Sequence, residues 1–136
     1  MSNAELTPKQ LAHVLKPYIA TLATVRLDGS PHVAPIWYRY EDGEFRILTE
    51  RSSVKARNVA RDPRVELCID DRARAPFHTV IVHGRATIDA YPGDAWRLAL
   101  AEHYLGAEGG RAYVSSTPAS DGEVLIRIKP LRLTGW

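Results

Sequence analysis

Residues 49–58, TERSSVKARN, set three hydroxyl side chains and three cations where an apolar strand-like run, FRILT, gives way to a helix-like one. Ser52 and Ser53 are N-cap types, and a hydroxyl there accepts from the backbone N–H groups that a helix start leaves unpaired. The charge does not suit a bare helix start, which carries about half a positive charge and favours Asp or Glu. Arg51, Lys55 and Arg57 crowd the first turn instead, with Glu50 the one neighbouring acid. From Arg51 to Arg64 five basic residues stand against Asp62 alone, while the rest of the chain has a slight acidic excess. Cations, hydroxyls and free N–H groups converging on one point form the donor set for an anion, most simply a phosphate. The plainer alternative is a solvated basic helix face.

The elements that must position this stretch follow from pattern. Thr7-Pro8 opens a short helix, Thr as N-cap and Pro at the first helical position, with Leu11, Val14 and Leu15 as its apolar stripe. Residues 18–26 (YIATLATVR), 32–40 (HVAPIWYRY) and 45–49 (FRILT) read as three strands joined by short Gly turns, an antiparallel meander. Pro35 inside the second strand calls for a bulge or a free edge, where the backbone can meet a ligand or another chain. Residues 64–69 form a fourth strand. In the fifth, Val80, Val82, Gly84, Ala86, Ile88 and Ala90 alternate with a face that is polar but for Ile81, as in a barrel stave. Gly84 marks a bend or a close backbone approach. Residues 94–105 form an amphipathic helix ended by Gly106, and the Gly- and Ser-rich residues 106–122 are expected to be mobile apart from a small knot at Tyr113 and Val114. Residues 123–136 form the last strand, with a bulge at Pro130 where the apolar phase slips. Six strands and three helices make the chain mainly β (α+β), an antiparallel barrel with flanking helices in a single domain spanning 1–136.

Several chemistries are disfavoured. Net charge is only +2, so any polyanion surface must be local, and aromatics are not interleaved with the arginines as a nucleic-acid groove requires. The lone Cys68 sits in an apolar run and reads as a buried, inert thiol. The five histidines show no metal-ligand spacing, and His32 and His83 read as solvated or hydrogen-bonded. No nucleophile motif such as GxSxG is present. Without a signal peptide or a membrane-length apolar run the chain is expected to be cytoplasmic, with no membrane partner.

Four segments, ATLATVRLDGSPHVAPIWY, LTERSSVKARNVARDPRV, VIVHGRATI and RIKPLRLTGW, together resemble the pyridoxamine 5′-phosphate oxidase-like family of split β-barrel flavoproteins. More narrowly they resemble its small branch that binds FMN or the deazaflavin coenzyme F420, over nearly the whole chain from about residue 15. The resemblance implies a six-stranded antiparallel split β-barrel working as a homodimer, with cofactor sites at the subunit interface. It implies Thr49, Ser53 and Lys55 as phosphate ligands, helped by Arg51 or Arg57, and the backbone of Val33, Ala34, Pro35, Ile36 and Trp37 beside the ring. Thr79 and Trp136 are implied as further cofactor contacts. Val54 stands where the oxidases proper carry an Arg, and the chain ends before their C-terminal substrate residues, so oxidation of vitamin B6 is not expected. The exposed aromatics expected at Trp37, Tyr38 and Tyr40 would suit a subunit interface.

Two function classes follow. One is an oxidoreductase passing hydride between the bound cofactor and a small apolar or conjugated substrate, the ring doing the redox chemistry and no catalytic acid singled out. The other is a non-catalytic store for flavin or deazaflavin, or a carrier of tetrapyrrole or fatty acid.

Overall fold

The computed structural model describes residues 5–135. Thr7 caps α1 (Pro8–Val14) through a capping box: its hydroxyl accepts from Gln10 N–H, and the Gln10 side chain accepts from Thr7 N–H. Of the expected stripe the helix buries Val14, together with Gln10 and His13, and leaves Leu11 and Leu15 exposed. Polar anchoring decides this orientation. A His13 ring nitrogen lies 2.8 Å from Ile69 O, and Gln10 Nε2 donates to Gly135 O.

Seven strands, not six, follow: β1 (Ala20–Val25), β2 (Pro31–Ile36), β3 (Arg39–Glu41), β4 (Glu44–Glu50), β5 (Arg64–Asp71), β6 (His78–Ala90) and β7 (Glu123–Gly135). They make one antiparallel sheet in the order β2-β1-β5-β6-β7-β4-β3. Both hairpins of the expected meander form, as β1–β2 and β3–β4, but its middle strand is not continuous. Its second strand breaks at Trp37-Tyr38, and the halves lie on opposite edges of the sheet. Three residues from Ile36 to Arg39 reach only about 10 Å, so the sheet must curl until its edges nearly meet, giving a half-barrel split between β2 and β3. The break has a side-chain cause: Tyr104 Oη accepts from Tyr38 N–H and donates to Tyr18 O, while Tyr38 Oη donates to Val14 O. Tyr38 is consequently fully buried, not exposed, and Tyr40 packs against the core.

Pro35 does lie on an edge strand, where its missing N–H costs no ladder bond. The inward alternation of β6 holds through Val80, Val82, Gly84 and Ala86. The β6–β7 register shifts between His83 and Gly84, with Gly84 opposite Pro130 and His83 opposite Arg132, so Leu131 is the extra residue of the bulge. A Cβ on Gly84 would come within 2.8 Å of both Ile128 and Lys129 O, which is why this close approach of β6 to β7 carries glycine.

Ser53 caps α2 (Val54–Arg61), which lies across the concave face of the sheet. Asn58 Nδ2 donates to Thr24 Oγ1 there, and Pro63 O accepts from Ala86 N–H. Residues 106–116, expected to be mobile, are instead the second half of α3 (Asp94–Ser116), which kinks at Gly106 (φ 80°) and continues. Cys68 is half-buried on the convex face rather than in the core, and burial raises its thiol pKa. Among the described residues no helix is long and apolar enough to cross a membrane.

Candidate functional site

The split in the barrel is where the chemistry-bearing residues gather. A cleft of about 230 Å³ opens between the end of β2, the start of α2 and the kinked α3. Pro35, Ile36 and Trp37 form one wall, Leu48 of β4 contributes to the lining, and Lys55 enters from α2. Arg97, Leu100 and Ala101 of α3 line the other side, with Tyr113 from beyond the kink and Glu123 from the start of β7.

Lys55 is the second residue of α2, half-buried, with no hydrogen bond or ion pair among the described residues. Desolvation pushes its pKa below the ordinary lysine value. An ammonium held near the positive end of a helix, partly out of water and without a counter-charge, is a cation configured for an anion. At the same helix start, but outside the residues that line the cleft, Thr49 Oγ1 donates to Ser53 Oγ at 3.0 Å, and Ser53 Oγ accepts from Ala56 N–H at 3.2 Å. Arg51 is tied by its backbone N–H to Gly122 O at 2.8 Å, which links the helix approach to β7. The Arg51 and Arg57 side chains are exposed and make no hydrogen bond or ion pair among the described residues. Arg61 and Arg64 are engaged, the former with Val25 O and Asn58, the latter with Asp62.

The edge strand β2 divides its residues between two surfaces. Ala34 and Ile36 share the inward register of Leu22 and Ala20, while Val33 and Pro35 face outward with Ala23 and Thr21 and are exposed. Trp37 is half-buried and stacks flat on Tyr104, ring centroids 4.8 Å apart and planes 4° from parallel. Thr79 is not in the cleft. It pairs with Asp70 near the far end of β6, whereas Thr49 and Ala90 both pair with Val124. That separation is on the order of 30 Å of strand. Trp136 lies outside the described residues.

Sequence reasoning missed Arg97, Tyr113 and Glu123. Arg97 is 8% exposed, its Nη2 donates to Thr117 O, its Nε lies 3.7 Å from Glu123 Oε1, and its guanidinium sits over the Tyr113 ring. A signal existed: Arg97 occupies the helical stripe of Leu100, Ala101 and Tyr104, where a cation has no place in simple packing. Among the described residues no cluster of His, Cys, Asp and Glu is placed to hold a metal ion.

A 5a,11a-dehydrotetracycline/5a,11a-dehydrooxytetracycline reductase of Streptomyces rimosus subsp. rimosus is 30% identical over 137 aligned positions, covering 96% of this chain and 82% of the relative. The fold is similar to that of an F420 reductase (TM-score 0.76, 23% identity, 95% of this chain and 98% of the other). It is equally similar to a conserved hypothetical protein of Mycobacterium tuberculosis (TM-score 0.76, 28% identity, 100% of this chain and 88% of the other). Residues 6–136 match the pyridoxamine 5′-phosphate oxidase family, and with that match over nearly its whole length the chain belongs to this family of half-barrel proteins.

Proposed function

We propose that the protein is a reductase using FMN or the deazaflavin F420, passing hydride between the bound ring and a small conjugated substrate. The observation that carries this is Lys55, half-buried and unpaired at the mouth of a cleft beside an edge strand. The donor set fits a cofactor phosphate: Lys55 Nζ supplies charge, and the Thr49 and Ser53 hydroxyls can reorient toward an anion. Bound there, the ring supplies the hydride chemistry. The chain's own part is to grip the anionic tail and lay the ring along residues 33–37. Leu48, Leu100 and Ala101 would keep water from its face. The reductase relative at 30% identity supports the direction of electron flow. Arg51 and Arg57, exposed and unpaired, favour the deazaflavin, whose polyglutamate tail carries several carboxylates.

We also propose that the protein works as a homodimer, the second copy bringing Thr79 to the site from its far strand end. Titration of cofactor-free protein with FMN and with F420 separately tests the cofactor. Tight binding of either, followed by reduction of an enone panel, is the expected result. Stoichiometric binding with no turnover would move the protein to the storage class, and binding of neither would remove the proposal. Lys55→Ala should weaken the favoured cofactor by roughly 1.5–3 kcal/mol, the range of a charge-assisted hydrogen bond. An unchanged dissociation constant would take Lys55 out of the site.

A further inference from the structure

Arg97 has more to offer than its place in the helix uses. A guanidinium is always charged and presents five N–H donors in a rigid fork. One Nη2 hydrogen is taken by Thr117 O, and Nε faces Glu123 Oε1 at 3.7 Å, beyond hydrogen-bond reach. Nη1 has no partner among the described residues, yet it is not among the side-chain nitrogens buried without one. Arg97 lines the cleft on one side and a second hollow beside Asp94, Leu98 and Val114 on the other, so its unused donors lie next to open space. A cation 92% withdrawn from solvent, with Glu123 as its one ion-pair partner and N–H donors left unused, favours a further anionic oxygen.

The aromatic groups beside it say what shape that oxygen comes on. One face of Trp37 is covered by Tyr104, and the ring meets Tyr113 at 5.3 Å with the planes 50° apart. Trp37 and Tyr113 thus meet in a tilted aromatic contact on the cleft wall, a surface on which a flat conjugated group can pack. Glu123 limits the charge. One carboxylate this close to Arg97 repels a dianion more than a monoanion, which argues against a second phosphate.

We propose that Arg97 is the specificity-determining residue of the cleft, anchoring a planar conjugated ligand through one carboxylate or enolate oxygen while Trp37 and Tyr113 hold its ring. This rests on the reading of the cleft as a reductase site, with Lys55 serving the cofactor and Arg97 the substrate.

The probes are 2-naphthoate and its neutral analogue 2-naphthamide, titrated calorimetrically into the full chain with and without saturating FMN or F420. The wild type should bind naphthoate about 10- to 100-fold more tightly than naphthamide, the range of one or two charge-assisted hydrogen bonds. Arg97→Gln should erase that preference and leave naphthamide unchanged. Lys55→Ala should keep the preference while losing cofactor affinity. Tyr113→Leu, at a more exposed position, should weaken both probes by the same factor, and it keeps the test decisive if Arg97→Gln does not fold. Equal binding of the two probes by wild type, or no binding of either, overturns the proposal. So does loss of the preference in Lys55→Ala rather than at Arg97. Failure of wild type to bind FMN or F420 sinks the reductase reading instead, whatever naphthoate does.

Discussion

Lys55 shows how a single residue can be set against the stability of its own fold. Its ammonium is partly desolvated and near a helix N-terminus, and both effects disfavour the charged form. In the unfolded chain the group regains its ordinary value, near 10.5. Between the lowered folded value and that limit the unfolded state binds more protons, so stability rises with pH through this alkaline window. Thermal melts of cofactor-free protein from neutral pH to about 10.5 should show that rise, and Lys55→Met should flatten it while raising the melting temperature at neutral pH. A ligand anion reverses the sign: affinity should fall as pH climbs through the same window, because the bound form needs the proton. Identical pH profiles for wild type and Lys55→Met would dismiss the idea. The role of Ser53 as N-cap and the basic surplus around it were legible in sequence because both are local, fixed within one helical turn. Arg97 and Glu123 were not, because their meeting depends on how α3 docks against β7.

At the scale of elements, α3 is the instructive case. Residues 106–122 contain four glycines, and at up to about 1 kcal/mol each in a helix interior, propensity argues for a loop. Packing overrides it. After the turn at Gly106 the second half folds back so closely that a Cβ on Gly110 would lie 2.6 Å from Glu102 N and 2.7 Å from its Cα. Gly110→Ala therefore sets a propensity gain of about 1 kcal/mol against an overpacking cost of about 1–3 kcal/mol. The clashing atoms are backbone and cannot swing aside, so the cost should win. Urea denaturation should show net destabilisation, and limited proteolysis should cut sooner within residues 106–117. A stabilised variant with unchanged proteolysis would mean the two halves are not in contact. The kinked helix is also what carries Tyr113 to Trp37, so the cleft depends on a close approach that composition conceals. By contrast β6, the Pro130 slip and the start of α1 were legible, since alternation, a lost N–H and a cap each act over a few residues. The split of the second strand was not. Tyr104, 66 residues away, removes Tyr38 N–H from any ladder, and Tyr104→Phe should cost about 1–3 kcal/mol by leaving that donor without its acceptor.

The whole molecule presents a curled sheet whose convex side carries an apolar band at the β2 edge. Register and alternation place Pro31, Val33 and Pro35 of β2 outward beside Thr21, Ala23 and Val25 of β1. Cys68 and Ile81 continue the same surface across β5 and β6. Val33 is 63% exposed at the centre of its strand, on an edge that one helix or strand could still cover. Within this band Glu66 Oε1 faces His83 Nδ1 at 3.2 Å while Glu66 Oε2 is buried with no partner among the described residues. A half-satisfied carboxylate on an apolar face is costly in a lone chain and is relieved when a second surface supplies a donor. A symmetric pairing through this face would bury the band, complete Glu66, and bring Thr79, which shares the face, toward the partner's β2. Sedimentation equilibrium should therefore give the mass of two chains at micromolar concentration. Val33→Glu, a charge placed at a largely exposed edge position, should shift it to the mass of one. Cofactor titration of the same variant then separates two cases: if affinity falls with dimerisation, the partner completes the site, and if it holds while the mass halves, one chain carries the whole of it.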